Sequence, residues 1–135
     1  MGTPMRVLVI DDDPIALEVT ASALRAMGHH VECHEQAFGA TAAIAAARPD
    51  VVLVDVGLPG LSGNRLVEIG RKRWPDGRPK FILHSARDPE ELEALVKESG
   101  PLGAIHKTPH PAAFREAFEA LVLGRPAPDP AAGSA

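Results

Sequence analysis

Five polar residues stand at the ends of short apolar runs and could together do chemistry. Asp11 and Asp12 follow the run 7–10, Asp55 follows 51–54, Ser85 follows 80–84, and Lys107 lies two positions beyond 102–105. Three carboxylates held in one place repel each other, and the arrangement is tolerable only if a cation or protons neutralise part of the charge. A hard divalent cation fits best: Mg²⁺ takes one or two carboxylates, keeps several waters and completes its shell with phosphate oxygens. No Cys or His lies among these residues, so zinc has no ligand set here. The same ion would neutralise an incoming phosphoryl group that bare aspartates would repel.

For these residues to meet, the elements carrying them must end at a common edge. Short apolar runs alternate with helical patterns at the rhythm of successive βα units. Strands are expected at 6–10, 30–34, 51–54, 80–84 and 102–105. The continuous run Val51-Val52-Leu53-Val54 suits a central strand covered on both faces, whereas Val31 and Cys33 alternating with Glu32 and His34 suit an edge. Helix one starts with Asp13 as cap and Pro14 at its first position, carries an apolar stripe of Ile15, Val19, Leu24 and Met27, and ends at Gly28. Later helices are expected at 39–47, 64–72, 89–99 and 111–123. The architecture is an α/β, doubly wound five-stranded parallel sheet. In the order 2-1-3-4-5, strands one, three, four and five are neighbours, and ligands bind at the carboxyl edge where that order reverses.

Whole-chain properties agree. At 135 residues and 45% hydrophobic content the chain makes one ordinary domain, and its net charge of −4 gives no nucleic-acid footprint. The basic cluster Arg71, Lys72, Arg73 is too short to change that. The single Cys33 excludes an internal disulfide framework, and no apolar stretch is long enough to span a membrane. A cytoplasmic protein without targeting segment is expected. The domain is assigned to 1–123; the Pro/Ala-rich tail 124–135 cannot repay its ordering entropy and is expected to be disordered.

Val9-Ile10-Asp11-Asp12-Asp13, the stretch Asp55-Val56-Gly57-Leu58-Pro59-Gly60-Leu61-Ser62-Gly63, Ser85-Ala86 and Lys107 together resemble the receiver domain of two-component response regulators over residues 5–123. The separate signals occur in the right order, each at the end of its own strand. The resemblance implies a CheY-like, flavodoxin-like (βα)5 fold and a stand-alone phosphoacceptor switch. It implies that Asp55 takes a phosphoryl group from a sensor histidine kinase or histidine phosphotransfer protein. By the same resemblance Asp12 is the direct Mg²⁺ ligand, Asp11 holds the ion through water, the backbone carbonyl of Gly57 is a further ligand, and Ser85 and Lys107 engage phosphoryl oxygens. The chain would be no enzyme beyond its own phosphorylation and slow autodephosphorylation. Its output would pass by protein–protein binding as a monomer or weak dimer, with no direct DNA binding and no membrane contact.

Three departures from the family pattern stand out. Ala104 stands where the family usually has a Tyr or Phe that swings inward on activation, so transmission to the surface of helices four and five is altered. Thr108 separates Lys107 from Pro109, where Pro usually follows the lysine through a cis bond. A cis Lys107–Thr108 bond would cost about 3 kcal/mol, so that bond is expected to be trans, or the cis bond to move to Thr108–Pro109. Gly57 and Arg87 occupy two positions that tune phosphoryl lifetime: Gly57 shields nothing, and Arg87 either reaches over the phosphate or lies in solvent.

The same residues admit other readings. Asp11, Asp12 and Asp13 could be a helix-capping cluster, but only Asp13 is needed to cap. A haloacid-dehalogenase-like phosphatase would use Asp11 and Asp13 with Ser85 and Lys107, yet its acidic pair after the lysine is not evident. A degenerate receiver serving as a phosphorylation-independent interaction module is left open by Ala104 and opposed by the full acidic set. His29, His30, Cys33 and His34 gather potential metal ligands, but alternation on a strand sends Cys33 to one face and His30 and His34 to the other. His84 and His106 flank the pocket and are expected to pack rather than to react.

Overall fold

The computed structural model describes residues 3–124; the expected tail from 125 onward lies outside the described residues. Five strands, β1 (Arg6–Ile10), β2 (His30–His34), β3 (Val51–Asp55), β4 (Lys80–Ser85) and β5 (Gly103–His106), alternate with five helices. The helices are α1 (Pro14–Ala26), α2 (Ala40–Ala47), α3 (Gly63–Arg73), α4 (Pro89–Ser99) and α5 (Pro111–Val122). All strand pairs are parallel, in the order β2-β1-β3-β4-β5. The fold and strand order are those expected from the sequence. β5 begins and ends one residue later than expected, so Lys107 follows it directly.

Alternation along the strands divides the core in two. Leu8, Ile10, Val52, Val54, Phe81 and Leu83 point to one face, where Ile44, Leu66, Val67 and Leu92 of α2, α3 and α4 cover them. Val7, Val9, Val51, Leu53, Ile82 and Ile105 point to the other, against Leu17 and Leu24 of α1 and Phe114 and Phe118 of α5. β3 lies between β1 and β4 with its four valine and leucine side chains buried, whereas β2 at one edge is only partly covered. Central strands so enclosed give Asp55 a fixed base.

Helix α1 begins as its sequence dictates: the Asp13 side chain accepts the Ile15 N–H at 3.0 Å, with Pro14 in the first turn. At its far end Gly28 adopts φ 94°, and the Gly28 and His29 N–H groups donate to the Arg25 and Leu24 carbonyls, a Schellman closure. The apolar stripe requires correction. The buried face is Leu17, Thr20, Ala21 and Leu24, while Ile15 and Val19 are 75% and 54% exposed. Leu17, Thr20, Ala21 and Leu24 follow the spacing i, i+3, i+4, i+7 of one helix face, whereas Ile15 and Leu24 stand nine residues apart, on opposite sides of the helix. The face seated on the sheet is the one whose small members, Thr20 and Ala21, let the helix approach closely.

In the loop beyond β5, the peptide bonds Lys107–Thr108 and Thr108–Pro109 are both trans; the cis bond among the described residues is Arg78–Pro79. The expectation of a trans Lys107–Thr108 bond holds, and the shifted cis bond does not occur.

Candidate functional site

Each residue singled out by chemistry leaves the sheet at its carboxyl edge. Asp11 follows β1, and its N–H donates to the His34 carbonyl of β2 at 3.2 Å, which continues the ladder one step past the strand. Asp55 closes β3 opposite His84, and Ser85 closes β4 opposite His106. Lys107 is anchored the same way, its N–H donating to the Ser85 carbonyl at 2.8 Å.

The side chains converge. Asp11, Asp12 and Asp55 each offer a carboxylate oxygen within 4.8 Å of the others. Asp11 is buried, Asp55 half-buried and Asp12 exposed, so the cluster opens to solvent on the Asp12 side. The Lys107 ammonium donates to Asp11 Oδ2 at 2.7 Å and lies 3.4 Å from Asp55 Oδ1. Asp11 Oδ1 accepts the Asp13 N–H at 3.0 Å, so both its oxygens are engaged and its carboxylate is fixed. These hard oxygen donors suit a cation such as Mg²⁺ and no soft metal.

The electrostatics follow from burial and charge. Burial pushes the Asp55 carboxyl above its ordinary range, the Lys107 ammonium pulls it back, and the neighbouring Asp11 and Asp12 charges push it up again. Burial works to lower the Lys107 ammonium, but its hydrogen bond to Asp11 and the Asp55 charge outweigh that and raise it. His84 is buried with its pKa lowered to about 4, chiefly by burial and then by the Lys107 charge. Its ring lies 5.5 Å from that of Phe114. His84 is thus a neutral packing residue behind the site, and His106 is exposed.

The residues around this centre resolve several alternatives. Asp13 turns away to cap α1 and lies outside the carboxylate cluster, which removes the second aspartate a phosphatase of the haloacid-dehalogenase kind would need. The Arg87 guanidinium pairs with Glu91 of α4 at 3.0 Å rather than covering the pocket, while the Arg87 backbone N–H donates to Ser85 Oγ at 3.1 Å and so orients that hydroxyl. Gly57 borders Asp55: a Cβ there would sit 3.5 Å from Asp55 Oδ2. Ala104 is only partly buried and lines an open groove of about 280 Å³ between α4 and β5, together with Leu92, Val96 and His106. At β2 the imidazole of His34 is bonded to the Phe38 carbonyl at 2.8 Å, and Cys33 is exposed. Among the described residues the acidic triad is the sole cluster with metal-ligand geometry.

Gly63 is a residue whose role sequence reasoning missed. Its N–H donates to the Val56 carbonyl at 3.0 Å, and a Cβ on it would lie 2.1 Å from the Asp55 carbonyl oxygen. The chain after Asp55 therefore folds back beneath it, and only a glycine allows that approach. The glycine was visible in the sequence, but the contact is made across the seven-residue loop 56–62, which spacing does not describe.

A parallel 2-1-3-4-5 sheet whose carboxyl edge joins three carboxylates, a serine and a lysine defines a response-regulator receiver. The model of the response regulator receiver domain matches residues 7–119, and the chain belongs to that family. It is 39% identical over 90 residues to the probable transcriptional regulatory protein TcrX of Mycobacterium tuberculosis, covering 67% of this chain and 38% of that one. It is 33% identical over 134 residues to the response regulator MprA of Mycolicibacterium vanbaalenii, covering 96% of this chain and 55% of that one. The chain thus spans about half the length, or less, of these curated relatives. Among solved structures it superimposes on the chemotaxis response regulator CheY4 of Vibrio cholerae with a TM-score of 0.79 at 23% identity, covering 88% of this chain and 99% of that one. It also superimposes, with a TM-score of 0.76 at 20% identity, on the receiver domain of a sensor histidine kinase from Pseudomonas aeruginosa solved with a magnesium ion in its active-site cleft. That match covers 89% of this chain and 98% of the other. Receivers of this family are signalling domains in two-component systems, and no described helix here is long and apolar enough to cross a membrane.

Proposed function

We propose that this chain is a phosphoacceptor switch in which Asp55 is phosphorylated by a sensor histidine kinase or a histidine phosphotransfer protein. The observation that carries this reading is the Asp55 carboxylate itself, half-buried at the end of β3 with Lys107 at 3.4 Å and two further carboxylates within 4.8 Å. In the transfer, an Asp55 oxygen attacks phosphorus as the bond from phosphorus to the donor imidazole breaks, and the imidazole, which carries a proton on its other ring nitrogen, leaves neutral. Asp11, Asp12, Asp55 and the Gly57 carbonyl would hold Mg²⁺, which when bound supplies neutralising charge for the transferred group. The Lys107 ammonium, now bonded to Asp11 and close to Asp55, is placed to pair with a phosphoryl oxygen. Ser85, whose oxygen already accepts the Arg87 N–H, keeps its proton to donate to another. The new bonds draw the Ser85 segment toward Asp55 and bias the domain between two arrangements.

The exposed apolar side chains Ile15, Val19 and Phe38, the last 85% exposed, lie on segments that leave the same sheet edge beside β1 and β2. They support docking of a helical phosphodonor next to the pocket. Output passes by protein–protein binding rather than by direct DNA contact of this domain, in a cytoplasmic setting. The relative MtrA of Mycolicibacterium smegmatis is a DNA-binding response regulator, matched over 40% of its length. The chain acts on no external substrate; it promotes its own phosphorylation and slow dephosphorylation.

The test is intact-mass and Phos-tag analysis after incubation with acetyl phosphate and Mg²⁺, with an EDTA control. Mg²⁺-dependent gain of one phosphoryl group by the wild type and none by Asp55→Asn is expected. Absence of any adduct, with acetyl phosphate and with a set of histidine phosphotransfer donors alike, would sink the proposal in favour of a degenerate module.

A further inference from the structure

The acceptor pocket occupies one end of the sheet, and the opposite end, where the strands begin, carries a second concavity. This groove, about 580 Å³, is lined by Arg6, Arg48, Arg73, Trp74, Arg78 and Pro79 among others. Its volume lies in the range of small-molecule sites. The chain as a whole carries a net charge of −4, so four guanidinium groups around one groove run against its overall balance.

Neighbouring carboxylates do not neutralise the set. Arg78 pairs with Asp50, whose other oxygen accepts the Arg6 N–H at 2.9 Å. Asp50 thus neutralises Arg78 and pins the start of β1. Asp76 also lines the groove. Among the described residues, the guanidinium groups of Arg6, Arg48 and Arg73 have no carboxylate within salt-bridge distance. Arg48 and Arg73 end α2 and α3, where a cation complements the helix dipole, but Arg6 opens a strand and has no such role.

Two of these side chains are also unusually placed. Arg48 adopts φ 48°, the one non-glycine residue with positive φ among the described residues, at a helix end where glycine is the ordinary choice. Holding an L-residue there costs about 1–2 kcal/mol, and the strain retains a positive charge at the rim. The Arg73 guanidinium lies 5.2 Å from the centroid of the Trp74 ring, and Trp74 packs against the core. A guanidinium laid on an anchored ring is oriented in advance and keeps its N–H edges for a ligand.

We propose that this groove binds an oligophosphate, two or more linked phosphate groups carried by a small molecule, through Arg6, Arg48 and Arg73. Guanidinium groups pair with phosphate in bidentate fashion. Asp76 offsets one of the three cations, so charge by itself would be met by one phosphate; the arginines, however, stand on a strand start and two separate helix ends around a groove of about 580 Å³, a span that linked phosphates fill and a single one does not. The site stands apart from the Asp55 pocket at the other end of the strands, so its occupancy and the phosphoacceptor chemistry can be tested separately.

The experiment titrates pyrophosphate, and in a second arm ATP, into the full chain in EDTA, read by calorimetry and by the fluorescence of Trp74, the sole tryptophan. Sodium sulfate at matched ionic strength is the control. Saturable binding of both phosphates is expected, at least about tenfold weaker in Arg48→Gly and in Arg73→Gln. Arg48→Gly suits the backbone at that position, so its circular dichroism should match the wild type and loss of binding would report the charge alone. Equal affinity for pyrophosphate and ATP would assign recognition to the phosphates, and tighter ATP binding would add a contact to the base. Absence of saturable heat and fluorescence change, sulfate binding of equal affinity, or binding unchanged in both variants would overturn the proposal.

Discussion

Replacing Lys107 by methionine keeps the length of the side chain and removes the cation that joins Asp11 to Asp55. At an effective dielectric constant of about 20, unit charges 2.7 Å and 3.4 Å apart attract by roughly 6 and 5 kcal/mol. Carboxylates within 4.8 Å of one another repel by roughly 3 kcal/mol or more per pair in the same medium. The desolvation of Lys107 offsets much of the attraction. Because its side chain is 23% exposed, the loss falls at the lower end of what breaking a buried pair costs, about 3 kcal/mol. Urea denaturation at about pH 8 in EDTA should therefore show the midpoint of Lys107→Met lowered by about 1–3 M. Without the ammonium, Asp55 rises further above its ordinary range, so the native state keeps a proton that the unfolded chain has already lost. Stability of the variant then falls as pH rises through that interval, and its deficit opens in the alkaline direction and closes in acid. Mg²⁺ should restore the variant more than it stabilises the wild type, because in the wild type it competes with the ammonium for the same oxygens. A deficit that is negligible, equal at acid and alkaline pH, or indifferent to Mg²⁺ would refute this account of the cluster.

Two further expectations concern the surroundings of the site. Gly63→Ala places a methyl group 2.1 Å from the Asp55 carbonyl oxygen, against backbone that cannot swing aside as a side chain could, and should cost about 3 kcal/mol or more and abolish Asp55 phosphorylation. Gly57→Ala, whose methyl group would lie 3.5 Å from Asp55 Oδ2, should cost less than about 1 kcal/mol, and equal effects of the two in chemical denaturation would contradict the close-approach argument. His84, lowered to about 4 from 6.5, contributes fully only above about 6.5 and should cost stability progressively as pH falls toward 4, by about 3 kcal/mol in total. His84→Gln should flatten that acid limb, and an unchanged slope between wild type and variant would show that another group is responsible.

The carboxyl-edge chemistry was legible in the sequence because period and position carry it. A run of four apolar residues followed at once by Asp55 states both that the strand is central and that its last side chain emerges at the edge. The same holds for Asp11 and Ser85, and for Asp13 with Pro14, where a cap is read within three residues. Family membership followed from these signals in order, since each is local. Which face of α1 meets the sheet was misread, because the large apolar residues Ile15, Val19, Leu24 and Met27 spread over half the helix, and the regular face of Leu17, Thr20, Ala21 and Leu24 holds two small residues that mark no core by their size. Nor could the sequence choose between a trans loop and a shifted cis bond after Lys107, or say whether Arg87 covers the pocket. Glu91, one turn further along α4, takes the Arg87 guanidinium.

What the sequence by itself determined, then, is the set of elements, their order and the chemistry delivered to one end of them, because apolar periodicity and capping act over a few residues. The tertiary structure alone decided how those groups bear on one another. It brought the Lys107 ammonium across 96 residues to the Asp11 carboxylate, and brought Gly63 under the Asp55 carbonyl. It also gathered Arg6, Arg48 and Arg73 from a strand and two helix ends around one groove. Such contacts depend on the twist of the sheet and the seating of helices on it, which are set by the packing of the whole core and leave no mark in the spacing of any one segment.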